Sequence, residues 1–156
     1  MTSAPHRVIF HPSAGRTVGI EWEFAPVDRR TGDLVSVAEQ VLDAVRPPGA
    51  PGHPRIHQEL LLNTVELVTG VSRTVPEAVE DLRSSLAEVR RVTDPMDVEL
   101  FSAGSHPFAN WREQRVTDGE RYATLIDRTQ WWGRQMLIYG VHVHVGSPIR
   151  RACCRC

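Results

Sequence analysis

The stretch TVGIEWEFAPV, residues 17–27, decides the fold because it is a long apolar segment that carries two glutamates. A period of two puts its apolar side chains on one face of a β-strand and Glu21 and Glu23 on the other. With a rise of about 3.3 Å per residue, the two carboxylates lie about 6–7 Å apart. Their repulsion reaches about 2.5 kcal/mol at an effective dielectric constant near 20, and a divalent cation would reverse it. A solvent-exposed polar face, or neutralisation by arginines, is the competing interpretation.

Length and composition restrict the class of protein. The 156 residues suit one domain, and 41% hydrophobic and 24% charged residues are ordinary for a globular chain. The net charge of -1 gives no case for a nucleic-acid partner, and no apolar run reaches the length of a membrane span. The first sixteen residues lack the apolar core of a signal peptide, which predicts a cytoplasmic protein.

Both ends of the chain differ from its body. Residues 1–15 form a polar lead, residues 16–149 the folded part, and residues 150–156 an atypical tail with the sequence RRACCRC. All three cysteines, Cys153, Cys154 and Cys156, lie in this tail, so the body has no disulfide framework. Their spacing also lacks the separated pairs of a structural zinc site.

Three helices are predicted from capping residues followed by apolar periodicity. The capping residues are Ser36 ahead of a short helix that ends at Pro47, Thr74 ahead of residues 75–91, and Asp118 ahead of residues 119–132. Ser36 and Thr74 each begin an S/T-x-x-E capping box. In the third helix the apolar stripe turns Trp132 inward.

Extended segments alternate with these helices and cover residues 17–27, 55–70, 98–102 and part of 135–148. Such an order is typical of a parallel α/β sheet. However, the strands that carry charge have one apolar and one polar face. This favours an antiparallel sheet covered by helices on one side only, and therefore an α+β fold.

Two further glutamates, Glu59 and Glu66, lie in the second extended segment. Glu66 interrupts the apolar sequence NTVELVTG, where a charge needs either a partner or an ion. An ordinary salt bridge and a cation site both remain open.

Two histidines share one face of the last strand. His142 and His144 lie there with Gly140 and Gly146, which leave room for a ligand. Such a pair can bring two imidazoles to one metal or one anionic substrate, although exposed or hydrogen-bonded histidines give the same pattern. His106, in the loop sequence GSHPF, is by itself more typical of a turn. Three strands thus present carboxylates or imidazoles on polar faces, which predicts a site on one side of the sheet.

Four segments carry a resemblance to a known family: TVGIEWEF, QELLLNTVELVTG, GSHPFANW and YATLIDRTQWWGRQMLIYGVHVHVG. In this order they resemble the glutamate–cysteine ligase type 2 family of ATP-dependent carboxylate–amine ligases, above all its actinobacterial members. The resemblance covers residues 16–146. It implies a fold similar to glutamine synthetase, with an antiparallel sheet, flanking helices and further strands beyond this chain's C-terminus.

The resemblance also implies a reaction. ATP would phosphorylate the γ-carboxylate of L-glutamate, and the amine of L-cysteine, or another amine, would attack the acyl phosphate to give γ-glutamylcysteine. Such chemistry uses Mg²⁺ to bridge phosphates and neutralise developing charge. The implied partners are ATP and the two amino acids, with no nucleic acid and no membrane, while a homo-oligomer remains open.

Residue roles follow from the same resemblance, position by position. The implied Mg²⁺ ligands are Glu21, Glu23 and Glu66. The implied catalytic groups beside the metal or substrates are Glu59, His142 and His144. The weaker candidates for contact with ATP or substrate are Arg73 and His106.

Family members continue well past the HVHVG strand, whereas this chain ends soon after it. We therefore expect a truncated or frame-shifted product, or the N-terminal piece of a longer protein, that binds ATP poorly and turns over little. One alternative is a zinc- or iron-dependent hydrolase or oxygenase built on His142 and His144. A second alternative is a non-catalytic remnant.

Overall fold

A long strand, β1 (Thr17–Asp28), runs through the centre of the sheet. The structure is a computed structural model that describes residues 11–148. The predicted first strand is confirmed, because its bounds agree with residues 17–27 to within one residue. The predictions for the start of the N-terminal lead and for the tail at residues 150–156 lie outside the described residues.

Four shorter strands complete the sheet: β2 (Ile56–Gln58), β3 (Val65–Val68), β4 (Val98–Phe101) and β5 (Val141–Gly146). Strand β1 pairs with β3, β4 and β5, and β2 pairs with β3. Every one of these pairings is antiparallel, so the antiparallel sheet is confirmed and the parallel order is excluded. Because three strands hydrogen-bond to β1, residues of those strands share a sheet face with the β1 residues directly opposite them.

The second extended segment is two strands rather than one. A turn over residues 59–64 separates β2 from β3, and Thr64 N–H donates to Leu61 O at 3.0 Å within it. The leucines of this turn are buried, which explains why its apolar sequence looks continuous with the strands. As a result Glu59 and Glu66 lie on different elements, although the sequence places them in one stretch.

Two helices, α1 (Ala38–Val45) and α2 (Val75–Thr93), cover one face of the sheet. The main core forms between them and β1–β3, and its buried members include Phe24, Val41, Val65, Leu67 and Val89. This arrangement confirms the expectation of helices on one side, since alternate residues of β1 belong to the core.

The capping predictions have different outcomes. Thr74 caps α2 as predicted, since its Oγ1 accepts from Glu77 N at 3.3 Å. The Glu77 carboxylate accepts from Arg73 N at 2.8 Å, which holds the chain one residue ahead of the cap. The Ser36 box is wrong, because α1 begins after Val37 and has no side-chain cap.

The third predicted helix is broken in two, α3 (Glu120–Thr129) and α4 (Trp131–Arg134). Gln130 has φ 51°, in the left-handed region, and so ends the regular helix. The rotation leaves Trp132 73% exposed, which corrects the prediction that it faces inward. The Asp118 cap is also wrong, because Gly119 is the residue that precedes α3 and no side chain caps it.

The valines of β5 are exposed among the described residues. Val141, Val143 and Val145 pair with Trp22, Ile20 and Val18, so they lie on the sheet face that α1 and α2 cover elsewhere. Neither helix extends over β5, and Val145 is 75% exposed. Within residues 11–148, no helix combines the length and apolar character that crossing a membrane requires.

We expect Val65→Ala to lower the free energy of unfolding by about 2–3 kcal/mol, from lost burial plus a residual cavity. Val65 is fully buried in the core under α1 and α2. The matched control is Val71→Ala, since Val71 is 84% exposed. The same substitution there should change the free energy of unfolding by no more than about 0.5 kcal/mol. Urea unfolding followed by circular dichroism measures the free energy of unfolding of both variants. Equal losses of stability in the two variants would contradict the position of Val65 in the core under α1 and α2.

Candidate functional site

Cross-strand pairing places three titratable residues in a row on the polar face of the sheet. Glu23 of β1 lies opposite Glu66 of β3, and Glu66 lies opposite His57 of β2. Directly opposite residues share a face with their Cβ atoms about 4.5–5.5 Å apart. The alternation that buries Phe24 and Val65 beneath the helices therefore forces Glu23 and Glu66 together on the other side.

A third carboxylate joins this pair from the turn after β2. Glu23, Glu59 and Glu66 each offer an oxygen atom, and these oxygens all lie within 4.8 Å of one another. Glu23 and Glu59 also line a cavity of about 220 Å³ together with Thr64, Gly140 and His142. All three carboxylates are half-buried. We call Glu23, Glu59 and Glu66 the carboxylate cluster.

The cluster changes the acidity of its members. Burial, followed by repulsion from Glu59, Glu21 and Glu23, raises the pKa of Glu66 to about 7. Burial likewise raises the pKa of Glu23 above its ordinary value, although a backbone hydrogen bond from Gly140 opposes this. Partial desolvation and like charge thus act in the same direction. A bound cation would offset both effects.

Gly140 fixes the orientation of the Glu23 side chain. Its N–H donates to Glu23 Oε2 at 2.8 Å, and its carbonyl accepts from Glu23 N at 3.0 Å. A Cβ atom at this position would lie 3.2 Å from His142 Nε2 and 3.7 Å from Glu23 Oε2. The glycine therefore allows the backbone to approach the carboxylate while His142 remains alongside.

Glu21 lies apart from the carboxylate cluster and contacts both histidines. His142 Nδ1 is 3.4 Å from Glu21 Oε2, and His144 Nε2 is 3.3 Å from Glu21 Oε1. The structure thus places the four predicted acidic and imidazole residues of β1 and β5, together with Glu59 and Glu66, on one face in two adjoining groups. The histidine side chains are exposed and available to a ligand.

Two predicted residues are not brought to this face. His106 is buried. Its Nδ1 accepts from Ala109 N of its own turn at 3.1 Å, and its Nε2 contacts Gly32 O, in the turn after β1, at 2.9 Å. Both ring nitrogens thus have backbone partners. Arg73 is exposed just before α2, and within residues 11–148 no carboxylate lies within 4.0 Å of its guanidinium.

His57 was missed from the sequence. It lies in β2 opposite Glu66, at the polar face, and is partly buried. The signal was present in IHQE, where a period of two places His57 on the same face as Glu59 if the strand continues. The three buried leucines that follow Glu59 interrupt this alternation, because β2 ends at Gln58.

The donor set fits a hard divalent cation. Three carboxylates supply only oxygen ligands, as Mg²⁺ prefers, and the cluster contains no thiolate. Within residues 11–148, no arginine lies within 4.0 Å of these carboxylates. Neutralisation by arginines therefore does not explain the three charges in the described part of the chain.

The fold is similar to that of two solved proteins. The glutamate–cysteine ligase of Francisella tularensis, solved in complex with AMP, matches with a TM-score of 0.67 at 19% identity over 88% of this chain and 28% of that one. A bifunctional glutathione synthetase from Pasteurella multocida matches with a TM-score of 0.61 at 18% identity, over 84% of this chain and 17% of that one. At these identities the likeness concerns the fold alone.

The sequence gives the family directly. The profile of glutamate–cysteine ligase family 2 matches residues 17–150, and the chain belongs to this family. A provisionally named glutamate–cysteine ligase 2-2 from Paenarthrobacter aurescens is 61% identical over 92% of this chain. A provisionally named glutamate–cysteine ligase 2 from Mycobacterium avium is 54% identical over 94%. The chain spans 39% and 38% of the lengths of these two relatives.

We expect the metal-free protein to lose stability as pH rises from about 4.5 to about 7. The folded protein holds the Glu66 proton more tightly than the unfolded chain, because its pKa is raised from 4.5 to about 7. The contribution of Glu66 to the free energy of unfolding is fully present below pH 4.5 and is lost as the pH rises through the pKa of Glu66 in the folded protein. Urea unfolding in the presence of EDTA, at pH values from 4.5 to 8, measures this decline.

The Glu66→Gln variant should show a clearly smaller decline, since an amide does not titrate. Glu80→Gln is the matched control, because Glu80 lies on the exposed face of α2 with its side chain 74% accessible. If Glu66→Gln kept the full decline of the wild type, the electrostatic description of the cluster would be wrong.

Proposed function

We propose that this chain forms the carboxylate side of a Mg²⁺–ATP site in a ligase that joins the γ-carboxylate of L-glutamate to the amine of L-cysteine. The observation that carries the proposal is the convergence of Glu23, Glu59 and Glu66 within 4.8 Å on one sheet face. Membership of glutamate–cysteine ligase family 2 supports the substrates. The AMP bound to the structurally similar Francisella tularensis ligase supports the nucleotide.

Glu23, Glu59 and Glu66 are the groups that would hold Mg²⁺. When bound, this cation would neutralise the negative charge that develops during phosphoryl transfer. Gly140 N–H keeps Glu23 directed into the cluster. Glu21 is a further candidate ligand, although in the described structure its carboxylate is held by His142 and His144.

The chemistry then follows the two steps of an acyl phosphate mechanism. ATP transfers its γ-phosphoryl group to the γ-carboxylate of glutamate, and the cysteine amine attacks the resulting acyl phosphate and displaces phosphate. His142 lines the cavity, His144 is exposed two residues further along β5, and both can donate N–H groups to anionic phosphate oxygens. Their contact with Glu21 orients both rings.

Arg73 and His106 have weaker support as contacts of ATP or substrate. Arg73 is exposed and free to reach a ligand, but it lies beyond the end of β3. Both ring nitrogens of His106 are engaged by backbone groups, Nδ1 by Ala109 of its own turn and Nε2 by Gly32 of the turn after β1. The proposal does not depend on either residue.

One observation favours a second candidate, a transition-metal hydrolase or oxygenase. Two imidazoles contact the Glu21 carboxylate through its two different oxygens, and these residue types are common ligands of zinc or iron, although the described residues bring only Glu23, Glu59 and Glu66 together as a group of three within 4.8 Å. The ligase remains the better supported function, because the adjoining carboxylate cluster contains only oxygen donors and the family is that of a ligase.

We expect Mg²⁺ to stabilise the wild-type chain at pH 8, because a cation that binds only the folded state relieves the repulsion within the cluster. The thermal midpoint should rise by several degrees in millimolar MgCl₂ relative to EDTA. Glu23→Gln and Glu66→Gln should each abolish most of this rise, whereas Glu80→Gln should retain it. Differential scanning fluorimetry measures the midpoints.

Metal analysis separates the two candidates. Zinc or iron retained through purification, combined with no response to Mg²⁺, would contradict the ligase proposal and support the alternative. A stoichiometric metal that disappears in a His142→Ala/His144→Ala variant would strengthen that conclusion.

The reaction itself is tested with ATP, Mg²⁺, L-glutamate and either L-cysteine or other small amines. We expect any γ-glutamyl product to require Mg²⁺, because the carboxylate cluster would hold that cation. Mass spectrometry detects the product, and Glu23→Gln is the inactive control. A rapid reaction that Glu23→Gln leaves unchanged would contradict the proposed role of the cluster.

A further inference from the structure

Glu59 differs from its neighbours in the carboxylate cluster in how it is held. Glu23 and Glu66 are opposite residues in the β1–β3 ladder, so strand pairing fixes their positions. Glu59 lies just after β2, on the turn of residues 59–64, where no named strand pairs with it. Some other contact must therefore keep it within 4.8 Å of the other two carboxylates.

That contact comes from the segment just before α3. Thr117 Oγ1 donates to Glu59 O at 2.7 Å, and Thr117 N donates to Leu60 O at 2.9 Å. The Thr117 side chain is buried, with 5% of the residue exposed. Two consecutive carbonyl groups of the turn are thus bonded to one residue, which fixes the orientation of the peptide group between Glu59 and Leu60.

The same peptide group also holds the Glu59 side chain. Its carbonyl is the one that accepts from Thr117, and its N–H, from Leu60, donates to Glu59 Oε2 at 3.1 Å. A rotation of this peptide would therefore move the carboxylate together with the backbone. Tyr122 OH supports the preceding peptide by donating to Gln58 O at 3.1 Å.

We infer that Thr117 is a positioning residue for the cation site: its hydroxyl fixes the Glu59–Leu60 peptide and thereby holds the Glu59 carboxylate beside Glu23 and Glu66. This inference rests on the proposed function, because it concerns the same cation. Thr117 does not touch the cation or the substrates; it acts through Glu59. Supporting contacts of this kind around metal ligands commonly change metal affinity by about 10–100-fold.

The test is Mn²⁺ binding to the full chain, measured by electron paramagnetic resonance with Mn²⁺ standing in for Mg²⁺. Thr117→Val keeps the shape of the side chain but removes the hydroxyl donor, and it should weaken Mn²⁺ binding about tenfold. Thr117→Ser keeps the hydroxyl and should restore binding to within about threefold of the wild type.

A double-mutant cycle with Glu59→Gln separates positioning from general damage to the fold. If Thr117 acts through Glu59, Thr117→Val should weaken Mn²⁺ binding in the wild-type background and have little further effect in the Glu59→Gln background. A purely structural role would weaken binding equally in both backgrounds and would overturn the inference.

Thr93→Val is the matched control. Thr93 is fully buried at the end of α2, and its hydroxyl has no hydrogen-bond partner within residues 11–148. The same chemical change there should leave Mn²⁺ binding unaltered. A loss equal to that of Thr117→Val would assign the effect to buried threonines in general and overturn the inference.

The remaining outcomes are also decisive. If Thr117→Val does not fold, as judged by circular dichroism, Thr117→Cys replaces it, because a thiol is similar in size to a hydroxyl but a weaker hydrogen-bond donor. The Thr117→Cys protein should then bind Mn²⁺ less tightly than the Thr117→Ser protein. Equal binding by Thr117→Cys and Thr117→Ser would overturn the inference. A wild-type chain that binds no Mn²⁺ would overturn the proposed function and with it the role of Thr117. Normal binding in the wild type and in Thr117→Val would overturn the role of Thr117 alone.

Discussion

Repulsion among half-buried carboxylates is the constraint on which the site depends. Glu23, Glu59 and Glu66 lie within 4.8 Å of one another, and the pKa of Glu66 rises to about 7 in consequence of burial and like charge. A folded chain tolerates such a cluster only when other interactions hold it together. Here those interactions are the β1–β3 ladder, the Gly140 hydrogen bond to Glu23 and the Thr117 hydrogen bond to Glu59.

Strand β1 connects the core to the site. One face of the strand contributes Phe24 to the core under α1 and α2, while the other face presents Glu21 and Glu23. Because the two faces belong to one backbone, core packing also sets the positions of the charges. A shift of register by one residue would bury the glutamates and expose the core, so the hydrophobic pattern enforces the alignment of Glu23 with Glu66.

The sequence could predict those parts of the structure whose physics is local. The alternation of residues in β1 placed both glutamates on one face, and the capping sequence at Thr74 correctly predicted where α2 begins. The break at Gln130 could not be read from the periodicity, since a single residue in the left-handed region rotates the rest of the helix. Trp132 is exposed for that reason, although its position on the apolar stripe indicated the core.

By itself, the sequence determined the polar face of β1, the choice of antiparallel pairing and the residue types suited to a hard cation. Only the tertiary structure decided which carboxylates meet. It brought Glu59 to Glu23 and Glu66 through a turn hidden within an apolar stretch, and it assigned Glu21 to the two histidines. The reason is that periodicity fixes the face on which a side chain lies. Proximity between elements depends on long-range contacts, such as the hydrogen bond from Thr117 to Glu59, that no local pattern encodes.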